Sequence, residues 1–76
     1  MRDFIDYLIR NLVDHPELVE ISEVSSSNVI IFEIKVLKED IGKIIGKKGA
    51  TIQAIRTLVH TLASKHGVRV TLHIVE

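Results

Sequence analysis

Residues 40–52 read DIGKIIGKKGATI, and the fold and chemistry of the chain are most readily inferred from this segment. At its centre Gly46 and Gly49 bracket two lysines, Lys47 and Lys48. Glycines permit a tight backbone turn and carry no side chain that would keep a ligand away. Unpaired N–H groups at the start of the following helix, its dipole and two lysine charges together predict a phosphate site. The alternative is an ordinary turn between two helices, with lysines exposed for solubility.

Apolar periodicity predicts one helix before these glycines and another after them. The first is short, over residues 39–45, and the second is longer, over residues 50–65. Lys65 and His66 suit the negative end of the dipole of the long helix, and Gly67 is a natural cap. The predicted inner stripe of this helix consists of Ile52, Ile55, Val59 and Leu62.

The rest of the chain supplies one more helix and three strands. Apolar residues at helical spacing predict an amphipathic helix over residues 2–14. The helix is expected to end there because Pro16 disfavours helical geometry in the residue before it. Alternating apolar residues predict a short edge strand over residues 18–25 and stronger strands over residues 29–37 and 68–75. The order α-β-β-α-α-β predicts an α+β fold, a three-stranded sheet with helices packed on one face. Periodicity leaves the strand order open.

Length and composition limit the classes of function. With 76 residues, of which 28 are Ile, Val or Leu, the chain is expected to form a single domain over residues 1–76. That leaves no room for an enzyme with its own substrate domain. An acidic N-terminus and the lack of a long apolar run predict a cytoplasmic protein without a membrane segment.

No catalytic or metal-binding pattern is present. The chain has no cysteine, and its four histidines lack the spacing of a metal site. A Walker A loop needs four residues between its glycines, whereas Gly42 and Gly46 are separated by three. We therefore expect no catalysis, no metal and no cofactor.

Charge is divided along the chain although the net charge is zero. Residues 1–34 carry a net charge of −5, and residues 35–76 carry +5. On charge alone, scatter in a small chain is the favoured interpretation. The alternative is an anionic partner on one side of the molecule.

Residues on both sides of the glycines make the pattern more specific. The run from Ile45 to Ile52 resembles the Ile-Gly-x-x-Gly-x-x-Ile signature of the KH (K-homology) RNA-binding domain. One helix and two strands precede the loop and one strand follows it, as in the type II (bacterial) KH arrangement. The resemblance covers essentially the whole chain, whose size is similar to that of the small stand-alone bacterial KH proteins of the KhpA family.

The resemblance implies single-stranded RNA as the ligand, with the loop clamping the backbone of about four nucleotides. The residues that match the clamp are Gly46, Lys47, Lys48 and Gly49, and those that match an aliphatic base groove or the core behind it are Ile41, Ile44, Ile45 and Ile52. The strand over residues 29–37 is expected to form the opposite wall. Lys43 and Arg56 are close enough to add phosphate contacts, with solvated surface charge as the equal alternative.

The same resemblance implies a protein partner. One loop neutralises few phosphates, so binding should be modest and salt-sensitive, and a second linked domain would raise avidity. We expect a homodimer or a complex with a second KH-containing protein of the KhpB type, and an RNA-chaperone role linked to cell-length control and peptidoglycan homeostasis. Candidate contact patches are Leu58 with Thr57 and Thr61, and Phe4 with Tyr7. The alternative is a protein-interaction module that keeps the KH fold but binds little RNA.

Overall fold

A computed structural model describes all 76 residues, and the order of its elements is the predicted one. The α+β fold is confirmed. None of the helices is long and apolar enough to span a membrane. The helices are α1 (Arg2–Leu12), α2 (Ile41–Ile45) and α3 (Ala50–Ser64), and the strands are β1 (Glu20–Ser26), β2 (Val29–Lys35) and β3 (Arg69–Ile74). Short 3₁₀ turns cover Pro16–Leu18, Lys38–Asp40 and Lys47–Gly49.

Several element boundaries differ from the prediction. Helix α1 ends at Leu12 rather than at residue 14, because Val13 is already extended and its side chain turns into the core. The segment at residue 18 belongs to the first 3₁₀ turn, so β1 begins at Glu20. Strand β2 ends at Lys35 rather than at residue 37. The helix predicted over residues 39–45 is divided into a 3₁₀ turn and α2, while α3 and β3 are one or two residues shorter than predicted.

The sheet has the order β1-β2-β3, which periodicity could not supply. Strands β1 and β2 pair antiparallel, and β2 and β3 pair parallel through the crossover that contains α2 and α3. Strand β1 therefore lies at an edge, as predicted, and β2 is the central strand. Ile31 of β2 faces Val24 on one side and Thr71 on the other.

The hydrophobic core lies between the helices and one face of this sheet. Phe32 and Ile34 of β2 are buried, whereas the alternate residues Ile31 and Glu33 are exposed. The helices therefore cover only one face of the sheet. The predicted stripe of α3 is buried at Ile52, Ile55 and Val59. Ala63 rather than Leu62 completes it, because four residues after Val59 return closer to the same helical face than three.

Arginine side chains bind backbone carbonyls on both edge strands. At β1 the Arg2 guanidinium donates to the Ile21 carbonyl oxygen at 2.6 Å, and at β3 Arg56 donates to the Leu72 carbonyl oxygen at 3.1 Å. Unpaired edge carbonyls are templates for pairing with other chains. These two arginines therefore protect the edges of a small sheet, and they also fix their own guanidinium groups in place.

Candidate nucleic-acid interface

The loop over residues 46–49 joins α2 to α3 in a conformation that few residues adopt. The φ angle is +76° at Gly46, +55° at Lys48 and +75° at Gly49. Lys48 and Gly49 are in the left-handed helical region, with ψ angles of 27° and 11°, where a side chain costs on the order of 1 kcal/mol. Gly46, with a ψ angle of 177°, is in a region that is essentially restricted to glycine. A strained lysine held between glycines is typical of a ligand clamp.

Both ends of the loop favour glycine: Gly46 because of close packing and a positive φ angle, and Gly49 because of a positive φ angle alone. A Cβ on Gly46 would lie 2.6 Å from Thr51 Cβ and 2.9 Å from Thr51 N, so internal packing excludes any side chain. A Cβ on Gly49 would meet nothing within 4 Å, and the same is true of Gly42 in α2. Glycine destabilises a helix, yet no neighbour demands it at Gly42. Gly42 and Gly49 thus leave bare backbone that a ligand can approach closely.

Positive charges predominate around this bare backbone, with Asp14, the partner of Lys43, and Glu39 as carboxylates near α2. Lys47 and Lys48 are exposed and take part in none of the four salt bridges of the protein. No acidic residue occurs between Asp40 and Glu76, so α2, the loop, α3 and β3 contain lysine and arginine but no carboxylate. The division of charge seen in the sequence therefore corresponds to one continuous part of the fold. This part suits a polyanion.

The four predicted isoleucines separate into two pairs according to their burial. Ile44 is completely buried and Ile52 is 6% exposed, so both belong to the core. Ile41 and Ile45 are half-buried and lie one turn apart on α2, on either side of Gly42 in the sequence. The solvent-accessible aliphatic surface among these four residues therefore comes from Ile41 and Ile45. Ile44 and Ile52 support it from beneath.

Two depressions adjoin these helices. One, of about 420 Å³, is lined by apolar and charged residues of both signs: Val36, Ile41, Val75, Lys35, Lys38 and Glu76. The other, of about 370 Å³, lies between α3 and β3 and contains Arg56. Of the segment over residues 29–37, which was expected to form the opposite wall, Lys35 and Val36 line the first depression. Along α3 the neighbouring strand is β3 instead.

Lys43 and Arg56 both have partners within the protein. Lys43 Nζ lies 3.1 Å from Asp14 Oδ2 in an exposed ion pair. Such a pair contributes less than about 1 kcal/mol, so Lys43 can exchange its partner for a phosphate at little cost. The Arg56 guanidinium is held by the Leu72 carbonyl oxygen and spans the gap between α3 and β3.

One residue that supports the site gave no signal in the sequence. Asp40, immediately before α2, is the single buried charged residue, with 1% exposure. Its Oδ1 accepts the Asp14 N–H at 3.2 Å, and its Oδ2 accepts the His15 N–H at 3.0 Å. An acid in this position suggests an exposed helix cap, but its side chain makes no cap bond. It ties the segment after α1 to the start of α2, and nothing local predicts so distant a contact.

Comparison with known proteins identifies the family. Residues 2–74 match the family model described as KhpA/KhpB, KH domain. The chain is 57% identical to RNA-binding protein KhpA of Chlamydia caviae over 76 residues, which cover this whole chain and 97% of that one. Identity to proteins of the same name is 44% in Caldanaerobacter subterraneus, over 99% of this chain and all of that one, and 40% in Listeria monocytogenes, over the full length of both. The resemblance carried by the glycine loop is confirmed, and the chain belongs to the KhpA/KhpB family of KH domains.

Proposed function

We propose that this KH domain binds single-stranded RNA and that it is a binding domain rather than an enzyme. The observation that carries the proposal is the loop over residues 46–49, in which bare backbone and unpaired lysines adjoin exposed aliphatic surface. KH domains clamp about four nucleotides with such a loop. The relatives described above are named RNA-binding proteins, which supports the same class of ligand.

The proposed mechanism separates the RNA backbone from its bases. Phosphates approach the backbone at Gly42 and Gly49 and are neutralised by Lys47 and Lys48, contacts that carry no sequence information. Lys43 and Arg56 act as secondary phosphate contacts, because both have partners within the protein. Lys43 must share or release the Asp14 carboxylate, and Arg56 must share or release the Leu72 carbonyl oxygen. The bases lie on the aliphatic surface of α2. A paired base cannot reach that surface, so single strands are preferred over duplex.

The small number of charges sets the strength of binding. If three lysines each neutralise one phosphate, the logarithm of the affinity should fall with the logarithm of the salt concentration at a slope of about −2. Binding by one domain is therefore modest at physiological salt, which favours assemblies in which two domains act together.

The proposal accordingly includes pairing, either of two copies of this chain or with a second KH-containing protein of the KhpB type. The family description names KhpA and KhpB together. Leu58 is 45% exposed on α3, a helix with a single charged residue, and its exposed neighbours are small and uncharged: Ala54, Thr57 and Thr61. The alternative patch is weaker, because Phe4 packs against the core and the surface of α1 around Tyr7 is charged.

Leu58→Lys should therefore weaken self-association, whereas Tyr7→Lys should leave it unchanged. Light scattering across a concentration series measures the mass of both variants and of the parent. A parent that stays monomeric at every concentration would exclude the homodimer and leave a second KH-containing protein as the proposed partner. A cytoplasmic location and an RNA-chaperone role linked to cell length and peptidoglycan homeostasis belong to the same proposal, and the family resemblance is their support.

RNA binding is tested with a labelled mixed-sequence single strand at two salt concentrations, measured by fluorescence anisotropy. Lys47→Asp/Lys48→Asp should reduce the affinity about 100-fold, because two phosphate contacts become repulsive. The single variant Lys48→Asp should also reduce the affinity. Lys65→Asp makes the same charge change at the far end of α3, is the matched control for Lys48→Asp, and should leave the affinity closer to that of the parent. Circular dichroism verifies that each variant is folded. Equal affinity of the parent and the double variant would favour a protein-interaction module instead.

A further inference from the structure

The free edge of the sheet at β1 is protected along only part of its length. Just before the strand, Arg10 donates a hydrogen bond to the Val19 carbonyl oxygen at 3.3 Å. Near the start of the strand, Arg2 donates to the Ile21 carbonyl oxygen. Residues 22–26 are all exposed, and no side chain of the protein forms a hydrogen bond with their backbone. Such an open strand edge is a template for pairing with another strand.

The backbone groups that point away from β2 belong to alternate residues of β1. In an antiparallel pair the N–H and C=O groups of one residue point to the same side, and successive residues alternate between the two sides. The Ile21 carbonyl oxygen points outward to Arg2, so the outward groups beyond it are those of Glu23 and Ser25. Two N–H donors and two C=O acceptors are therefore available to a neighbouring strand.

A second β1 in antiparallel orientation satisfies all of these groups in a single two-fold register. With Val24 opposite Val24 of the second copy, Glu23 of each copy pairs with Ser25 of the other, and every outward group has a partner. A register centred on Glu23 places two carboxylates opposite each other and needs Ile21, whose carbonyl oxygen is already bonded. A register centred on Ser25 needs Ser27, which lies in the turn with a φ angle of +50°.

The side chains of β1 favour the same register. Val24 is 58% exposed, more than any other large aliphatic residue of the protein. On the open face of the sheet it lies beside Ile31, which is also exposed and is followed by Thr71 on β3. With the two Val24 side chains adjacent, the rows of both copies form one continuous apolar stripe. The Glu23 carboxylate lies opposite a serine and 3.8 Å from the Arg2 guanidinium, so no like charges are opposed.

From these observations we propose that residues 22–26 of β1 pair with the same residues of a second copy, so that two three-stranded sheets join into one. The two-fold axis passes between the two Val24 residues, perpendicular to the joined sheet. This contact is separate from the α3 surface around Leu58, and it does not depend on RNA binding.

The geometry of the joined sheet sets what the contact does. An axis perpendicular to the sheet keeps both helical layers, and with them both loops over residues 46–49, on the same face. Such short strands bury less than the roughly 800 Å² per partner of a stable interface. The contact therefore forms where the local concentration is high, as between two copies bound to one polymer.

Disulfide trapping tests this register, because the protein has no cysteine of its own. Every variant also carries Leu58→Lys, which removes the proposed contact through α3. In the proposed register the two Cα atoms at position 24 are about 4.5 Å apart, within reach of a disulfide bond, whereas the two at position 22 are about 13 Å apart. In a glutathione redox buffer, Val24→Cys should form a linked dimer at least about tenfold faster than the control Ser22→Cys, as measured by non-reducing electrophoresis.

Two further arms make the test specific to the strand edge. A mixture of Ser22→Cys and Ser26→Cys should form a mixed disulfide as fast as Val24→Cys links to itself, because positions 22 and 26 are opposite each other. Ser25→Pro added to Val24→Cys removes an outward N–H without breaking a hydrogen bond to β2, and should lower the rate to that of Ser22→Cys. Circular dichroism verifies that each variant is folded.

A folded Val24→Cys variant that links no faster than Ser22→Cys would overturn the inference. So would a mixture of Ser22→Cys and Ser26→Cys that links no faster than either variant alone, and this mixture is decisive if Ser25→Pro does not fold. In both cases RNA binding at the loop and the contact through α3 would be unaffected.

Discussion

The two ends of α2 are built in opposite ways. At its N-terminal end Asp40 is buried, and both of its oxygens accept backbone N–H groups from residues 14 and 15. At its C-terminal end the loop over residues 46–49 is open to solvent, strained at Lys48 and free of ion pairs at both lysines. A five-residue helix has little stability of its own, so its position depends on the buried side chain of Ile44 and on the end closed by Asp40. The anchor thus lies at one end of this short helix and the proposed RNA-binding loop at the other.

The closed end can be broken by removing the buried carboxylate. Asp40→Ala leaves the N–H groups of Asp14 and His15 without acceptors, and we expect the free energy of unfolding to fall by about 4 kcal/mol. Asp40→Asn keeps the volume and one acceptor oxygen, so its loss should be about half as large. Urea denaturation monitored by circular dichroism measures both variants. A loss below about 1 kcal/mol for the alanine variant would mean that the closed end does not anchor the helix.

Gly46, the first glycine of the loop, lies closely against Thr51 at the start of α3. Gly46→Ala forces a Cβ against the backbone and side chain of Thr51 and also disfavours the positive φ angle. We expect the free energy of unfolding to fall by about 2 to 3 kcal/mol. Thermal unfolding should show the loss, and a stability equal to that of the parent would show that the start of α3 adapts without strain.

Gly49, the second glycine of the loop, has no atom near the position of a Cβ. A substitution there therefore separates an effect on RNA binding from an effect on stability better than a substitution at Gly46. Gly49→Ala meets no neighbouring atom, so only the positive φ angle opposes it, and the expected loss of stability is about 1 kcal/mol. The new methyl group faces the proposed phosphate path, so RNA affinity should fall more than stability alone explains. Titration with single-stranded RNA at a temperature where the variant is fully folded separates the two effects. Undiminished affinity would place the RNA elsewhere.

The smallest effect is expected for the exposed ion pair between Asp14 and Lys43 of α2. Asp14→Asn removes the partner of Lys43, which costs less than about 0.5 kcal/mol of stability. The released ammonium group becomes available to RNA, so affinity at low salt should rise about twofold. Parallel denaturation and binding measurements on this variant test the point. A fall in affinity would show that Asp14 holds Lys43 in its binding position.

Local periodicity was sufficient to predict the order of the elements and the position of the loop. The apolar stripe of α3 and the alternation in β2 are strong because each buries one face against the core. The glycine spacing is likewise a local signal, since Gly46 and Gly49 both require a positive φ angle. Boundaries were less accurate, as at Val13, where tertiary packing ends α1 before its apolar pattern ends.

The features that could not be predicted from the sequence depend on contacts between residues that are far apart in the chain. Ile44 and Ile45 are adjacent and chemically identical, yet one is in the core and the other is half-exposed, which only the packing of α2 decides. The central position of β2 follows from strand pairing, which periodicity does not supply. Asp40 binds backbone groups 25 and 26 residues earlier, a distance over which local patterns carry no information.

The most direct measurement is a map of backbone amide chemical shifts in ¹⁵N-labelled protein titrated with a four-nucleotide random-sequence RNA. We predict that the largest shifts occur at Gly42 and over residues 46–49, while residues 13–15 and the open face around Ile31 change little. Saturation of these shifts with a common affinity would establish the open end of α2 as the RNA site. Shifts concentrated at residues 13–15 or on the open face of the sheet, or no shifts at any RNA concentration, would contradict it.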